Sequence, residues 1–184
     1  HPEAATGRGG PFVTRTHGET RLRRADVQAL AGAVERVDRG LVVCGPADEP
    51  TPARPALRRL AEATGFPVLA DPLSGLRFGA HVDRTTVCGG YDSYLDARLT
   101  ESWPDPDVVL RFGSSPTSKT LREYLNRADP RGFLVDSSGG WREATFAATD
   151  LIEADPSWLG RTPPHGIGGD QAAGPAWGDR FRTG

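Results

Sequence analysis

Short, unbroken apolar runs separated by longer segments of helical period restrict the fold of this 184-residue chain more than any other feature. Residues 41–44 read Leu-Val-Val-Cys, 66–70 Phe-Pro-Val-Leu-Ala, 107–112 Asp-Val-Val-Leu-Arg-Phe and 132–135 Gly-Phe-Leu-Val. Each run is too short for a buried helix and none alternates polar with apolar residues, so each fits a strand covered on both faces. Helices are predicted between them. The first spans 25–39, with Val27, Leu30, Ala31, Val34 and Val37 on one apolar stripe and Gly40 ending it. A second spans 53–64, with Leu57, Leu60 and Ala61 inward and Gly65 as its stop. Two more are predicted at 91–103 and 117–128, and a last strand at 147–152. Strand and helix in alternation predict an α/β domain: an open, doubly wound, mostly parallel sheet of five or six strands with helices on both faces.

Composition sets the limits of that domain. With 37% hydrophobic and 25% charged residues the chain can bury one ordinary core, assigned to 21–159. Residues 1–20 and the Gly- and Pro-rich stretch 160–184 read as linkers. A net charge of -2 gives no basic field for nucleic acid. No apolar run approaches the roughly 20 residues of a membrane span, and the start His1-Pro2-Glu3 is polar, so a cytoplasmic location is expected. The chain has no Met, which favours the interior of a longer protein. Cys44 and Cys88 are too far apart for a CxxC pair, and Cys44 is expected to be buried. His17, His81 and His165 are isolated, never at metal-ligand spacing, and are expected at the surface.

In open α/β sheets ligands gather outside the carboxyl ends of the strands. The loops there are 45–48, 71–77, 113–119 and 136–141. The most informative is Arg111-Phe112-Gly113-Ser114-Ser115-Pro116-Thr117-Ser118-Lys119-Thr120, between a strand and a helix. Lys119 is the only lysine among 22 basic residues. Small residues and hydroxyls at a helix start can offer N–H groups to an anion, with Lys119 adding a charge. The plain alternative is a helix start capped by Thr117. The stretch also falls one glycine short of a P-loop, since Gly113 is followed after four residues by Ser118-Lys119-Thr120 where that motif has Gly-Lys-Thr. Asp71, Ser74 and Arg77 could meet a polar ligand or a neighbouring domain, or simply form turns; Asp136 reads as a turn former. There is no GxGxxG after the first strand and no GxSxG elbow, which argues against bound NAD and a serine nucleophile.

Several blocks together resemble a known family. Gly65-Phe66-Pro67-Val68-Leu69-Ala70-Asp71-Pro72-Leu73-Ser74-Gly75-Leu76-Arg77, then Pro106-Asp107-Val108-Val109-Leu110-Arg111-Phe112-Gly113, then Pro116-Thr117-Ser118-Lys119, then Leu134-Val135-Asp136 leading to Trp141-Arg142, resemble the Rossmann-like central domain of the MenD family. These are the thiamine-diphosphate-dependent 2-succinyl-5-enolpyruvyl-6-hydroxy-3-cyclohexene-1-carboxylate synthases of menaquinone biosynthesis. The resemblance runs from about residue 40 to 155. It implies a transferase that decarboxylates 2-oxoglutarate on thiamine diphosphate and adds the resulting carbanion to isochorismate. It implies that the cofactor, with magnesium or manganese, is held by two flanking domains of a homodimer or homotetramer. No cofactor is expected in this chain, and the isolated piece is expected to be inactive.

By the same resemblance Lys119 reaches a substrate carboxylate, within a substrate-binding set of Thr117, Ser118, Lys119 and Arg122. Thr120 stands where many relatives carry Arg, and Arg122 is the candidate for that second contact. A different class stays open from the residues alone: a free-standing nucleotide- or anion-binding module using 113–120.

Overall fold

The computed structural model describes residues 13, 14, 16, 18–49, 51–83, 86–95 and 103–159. Along the chain run α1 (Arg24–Val34), β1 (Gly40–Cys44), α2 (Arg54–Thr64), β2 (Val68–Ala70), a 3-10 turn (Pro72–Ser74), β3 (Val87–Cys88) and α3 (Tyr91–Tyr94). They are followed by β4 (Val108–Phe112), α4 (Lys119–Ala128), β5 (Arg131–Val135), β6 (Asp150–Ile152) and α5 (Pro156–Leu159). The six strands form one sheet in the order β3-β2-β1-β4-β5-β6, and every pairing is parallel.

The apolar runs explain why β1 and β4 lie at its centre. All five residues of each are buried, and alternate side chains feed two cores. On one face Val42, Cys44, Leu110 and Phe112 pack with Leu30 of α1 and Leu57 and Leu60 of α2. On the other, Leu41, Val43 and Val109 meet Tyr91 of α3 and Leu121, Tyr124 and Leu125 of α4. Burying a Leu, Val or Phe side chain is worth about 1.5–3 kcal/mol. The body of α4 is therefore placed by packing, independently of the polar contacts at its first turn.

Several boundaries differ from the sequence reading, each for a local reason. Helix α1 stops at Val34 rather than 39, because Arg39 is already bound to β4: its guanidinium pairs with Asp107 at 2.7 Å and its carbonyl accepts the Asp107 N–H. Gly40 is the first residue of β1, not a helix stop; a Cβ there would lie 2.0 Å from the Phe66 ring. The helix expected at 91–103 is one turn, after which Leu95 becomes extended and enters the core. The remainder up to Trp103, residues 96–102, lies outside the described residues. β6 begins at Asp150, since the Ala147 and Ala148 N–H groups bond to the Glu143 carboxylate instead of a strand. Most of the expected linkers, 1–12 and 160–184, likewise lies outside the described residues. Among those described, no helix is long and apolar enough to cross a membrane.

Candidate functional site at the carboxyl edge of the sheet

The loop between β4 and α4 is built from its own hydroxyls and one distant carboxylate. Ser118, not Thr117, caps α4: its Oγ accepts the Leu121 N–H at 3.2 Å. Thr117 is used elsewhere. Its N–H and its hydroxyl both donate to Asp71 Oδ2, at 2.8 and 2.7 Å. The other Asp71 oxygen accepts the Leu73 N–H at 2.9 Å and caps the 3-10 turn. Asp71 is fully buried. The Ala-Asp-Pro-Leu-Ser and Pro-Thr-Ser-Lys blocks, 46 residues apart, thus meet through one carboxylate.

Arg122 holds the same loop from the helix side, donating from Nη1 to the Pro116 carbonyl at 2.6 Å and the Thr117 carbonyl at 3.0 Å. Lys119 leaves the first turn of α4 into solvent; its side chain is 80% exposed and lies 3.5 Å from Glu123 one turn on. An exposed i,i+4 pair holds a lysine only weakly, so the ammonium can turn to a better partner. Among the described residues, Lys119 lines neither the cleft beside Arg111 and Arg122 nor the cleft between α1 and β6. Any pocket that uses it is completed by surface outside these clefts. Of the four expected site residues, Lys119 alone offers its charge outward, while Thr117 donates to Asp71 and Ser118 and Arg122 spend an acceptor or donors on the loop and its helix start.

The order of the strands reverses direction between β1 and β4, and the crevice there is where sheets of this kind bind nucleotides. Here backbone fills it. The Ser114 N–H donates to the Pro46 carbonyl at 2.9 Å, and a Cβ on Gly45 would lie 1.8 Å from the Ser114 carbonyl. Gly113 has φ +72, a conformation that needs glycine, and sits 2.8 Å (as a Cβ) from the Pro46 carbonyl. A phosphate approaching the Thr117 N–H would have to displace the Asp71 carboxylate, which repels it. These contacts weigh against a P-loop at 113–120.

A second carboxylate was not singled out from the sequence. Glu143, in the loop between β5 and β6, is buried against Arg111 of β4 at 2.7 Å. The same carboxylate accepts the Thr145 N–H and hydroxyl at 3.0 and 2.6 Å, and the Ala147 and Ala148 N–H groups at 2.6 and 3.1 Å. Burial, the largest single influence, pushes its pKa up; the Arg111 guanidinium and the Thr145 donors more than offset this and leave it at about 2. The arrangement closes the β5–β6 loop over β4. The only signal in the sequence was a charged residue, Arg111, inside an otherwise apolar strand.

The other sequence candidates serve local turns. Ser74 Oγ donates to the Asp71 carbonyl and Arg77 Nε to the Ala70 carbonyl. Asp136 accepts the Ser138 N–H and hydroxyl at 2.7 and 2.6 Å, the turn expected for it. Cys44 is buried as expected, and burial pushes its thiol pKa up. His81 corrects the expectation of a surface histidine. It is 3% exposed and donates from Nε2 to the Leu76 carbonyl at 2.8 Å, which ties the loop after β2. His17 and His165 lie outside the described residues. Among the described residues no group of His, Cys, Asp and Glu is placed to hold a metal.

The family model described as "Middle domain of thiamine pyrophosphate" matches residues 14–166. The chain belongs to this middle-domain family. Its sequence is similar to curated 2-succinyl-5-enolpyruvyl-6-hydroxy-3-cyclohexene-1-carboxylate synthases. It is 58% identical over 159 residues to that of Natronomonas pharaonis, covering 86% of this chain and 26% of the relative. To that of Haloarcula marismortui it is 57% identical over 155 residues, covering 83% and 26%. To the Geobacillus kaustophilus protein it is 43% identical over 142 residues, covering 77% and 24%. The middle-domain chain therefore spans about a quarter of the length of the curated relatives it matches. A solved structure from Mycobacterium smegmatis, assigned as a thiamin diphosphate-dependent enzyme, matches with TM-score 0.51 at 17% identity, covering 90% of this chain and 32% of that one. That likeness supports the fold.

Proposed function

We propose that this middle domain is the scaffold of a 2-succinyl-5-enolpyruvyl-6-hydroxy-3-cyclohexene-1-carboxylate synthase, a C–C bond-forming transferase of menaquinone biosynthesis acting on 2-oxoglutarate and isochorismate. The observation that supports it most is the 58% identity to a curated synthase across 86% of the chain, with both motif blocks joined at one edge of the sheet. Both substrates carry carboxylates. Lys119 is the residue to meet one of them, because its ammonium is exposed and held only by a weak surface pair with Glu123, at the end of the loop that Asp71, Ser118 and Arg122 shape. Arg122 is assigned mainly to shaping this loop, its remaining N–H groups being available for a second carboxylate contact.

The described residues do not fit thiamine diphosphate. The crevice where a diphosphate would sit is filled by the backbone of Gly45, Pro46 and Ser114. The cofactor, with magnesium or manganese, is assigned to flanking domains of the full-length chain, in a cytoplasmic homodimer or homotetramer. The test compares the full-length chain with residues 1–184 alone, each supplied with thiamine diphosphate, magnesium, 2-oxoglutarate and isochorismate. Product from the full-length chain alone is expected. No product from a folded full-length chain that binds thiamine diphosphate would overturn the assignment.

A further inference from the structure

We propose that Asp71 is a positioning residue for Lys119, fixing across the sheet the point at which the lysine leaves α4. This rests on the reading that Lys119 meets a substrate carboxylate. The two oxygens of Asp71 have separate duties. Oδ1 caps the 3-10 turn through the Leu73 N–H, a task any Asx or Ser side chain performs. Oδ2 is spent wholly on Thr117, taking its N–H at 2.8 Å and its hydroxyl at 2.7 Å. A turn alone needs no buried carboxylate, and burying one without donors is costly. The second oxygen accounts for the acid.

Asp71 ties the end of this loop, at Thr117, to the segment after β2, whereas the Ser114 N–H bond to the Pro46 carbonyl and the Ala144 N–H bond to Ser115 Oγ hold its beginning. The Arg122 bonds to Pro116 and Thr117 and the Ser118 cap lie within six residues of their partners, so they shape the loop without placing it on the sheet. The body of α4 is held by Leu121, Tyr124 and Leu125 in the core. What remains to be fixed is the entry to the helix, the residues just before Leu121. Thr117 is two residues before Lys119, so its tether sets where the lysine stem starts. Loss of the tether leaves the fold in place and lets the ammonium wander from the carboxylate, which acts on substrate binding more than on turnover.

The test uses the full-length synthase with Thr117→Val, Thr117→Ser, Asp71→Asn and Lys119→Ala. Thr117→Val keeps the shape and removes the hydroxyl; Thr117→Ser restores it. Two readouts are taken: KM and kcat for each carboxylate substrate, and amide hydrogen exchange across residues 117–121. The expected result is a rise of about tenfold in KM for the same substrate that Lys119→Ala affects, with kcat nearly kept, because misplacing a binding group costs rate without removing chemistry. Exchange at 117–121 should speed up in Thr117→Val and Asp71→Asn, and Thr117→Ser should return both readouts towards the parent. If Lys119→Ala raises KM while Thr117→Val changes neither KM nor exchange, the positioning role is overturned and the substrate reading of Lys119 stands. If Lys119→Ala leaves both KM values unchanged, the substrate reading fails. The tether is then judged on exchange alone: faster exchange sustains it, unchanged exchange refutes it.

Discussion

Two buried carboxylates hold two loops at the same edge of the sheet, and they are satisfied in opposite ways. Glu143 faces a cation, Arg111, at 2.7 Å and gathers N–H groups from Thr145, Ala147 and Ala148. Among the described residues, Asp71 is bonded to dipoles alone: the Leu73 and Thr117 N–H groups and the Thr117 hydroxyl. A charge pair deep in the protein punishes the loss of either partner, because the other is left uncompensated. A carboxylate held by dipoles loses a hydrogen bond at a time. The Glu143 loop is accordingly a structural closure, and the Asp71 link is a lighter tether beside the residue assigned to substrate.

The largest effect expected in this comparison is from Arg111→Met, which keeps much of the apolar volume and strands Glu143. Urea unfolding of residues 1–184 should show a loss of about 3–5 kcal/mol. A loss no greater than that of Thr117→Val would erase the distinction between the two carboxylates.

Acid should act through Glu143 in a defined window. Its folded pKa, about 2, lies below the roughly 4.3 of an unfolded glutamate, so the unfolded chain binds the proton more readily between those values. The stability Glu143 contributes is complete above that window and is lost as pH falls through it towards about 2. Unfolding measured from pH 5 to 2 should decline more steeply for the parent chain than for Glu143→Gln. Parallel profiles would contradict the assignment.

Thr117→Val should cost less, about 1.5–3 kcal/mol, the worth of a hydrogen bond to a charged group. The smallest effect is at Lys119. Its side chain is 80% exposed, so Lys119→Ala should change unfolding stability by no more than about 0.5 kcal/mol. A larger loss would mean that the lysine braces the fold rather than waiting for a ligand.

The parts of the fold legible in the sequence were those whose pattern is local. β1, β4 and β5 announce themselves as apolar runs, and α1 and α2 as apolar stripes through Val27, Leu30, Ala31 and Val34 and through Leu57, Leu60 and Ala61. β3 did not, being two residues long with only Cys88 fully buried. The site was half legible. The loop 113–120 and Lys119 stood out by chemistry, but the partner of Thr117 lies 46 residues away and that of Arg111 lies beyond β5, in the β5–β6 loop. Long-range polar pairs leave no period in the sequence. Thr117 and Ser118 are both cap formers by residue type; Ser118 caps the helix, while the Asp71 carboxylate takes the threonine.

The role proposed for Lys119 is tested first by steady-state kinetics of Lys119→Ala in the full-length chain, with the two proposed carboxylate substrates varied in turn. KM is expected to rise about tenfold or more for one of them, the loss of a charge-assisted contact, with thiamine diphosphate affinity unchanged. Unchanged KM values for both substrates would contradict it.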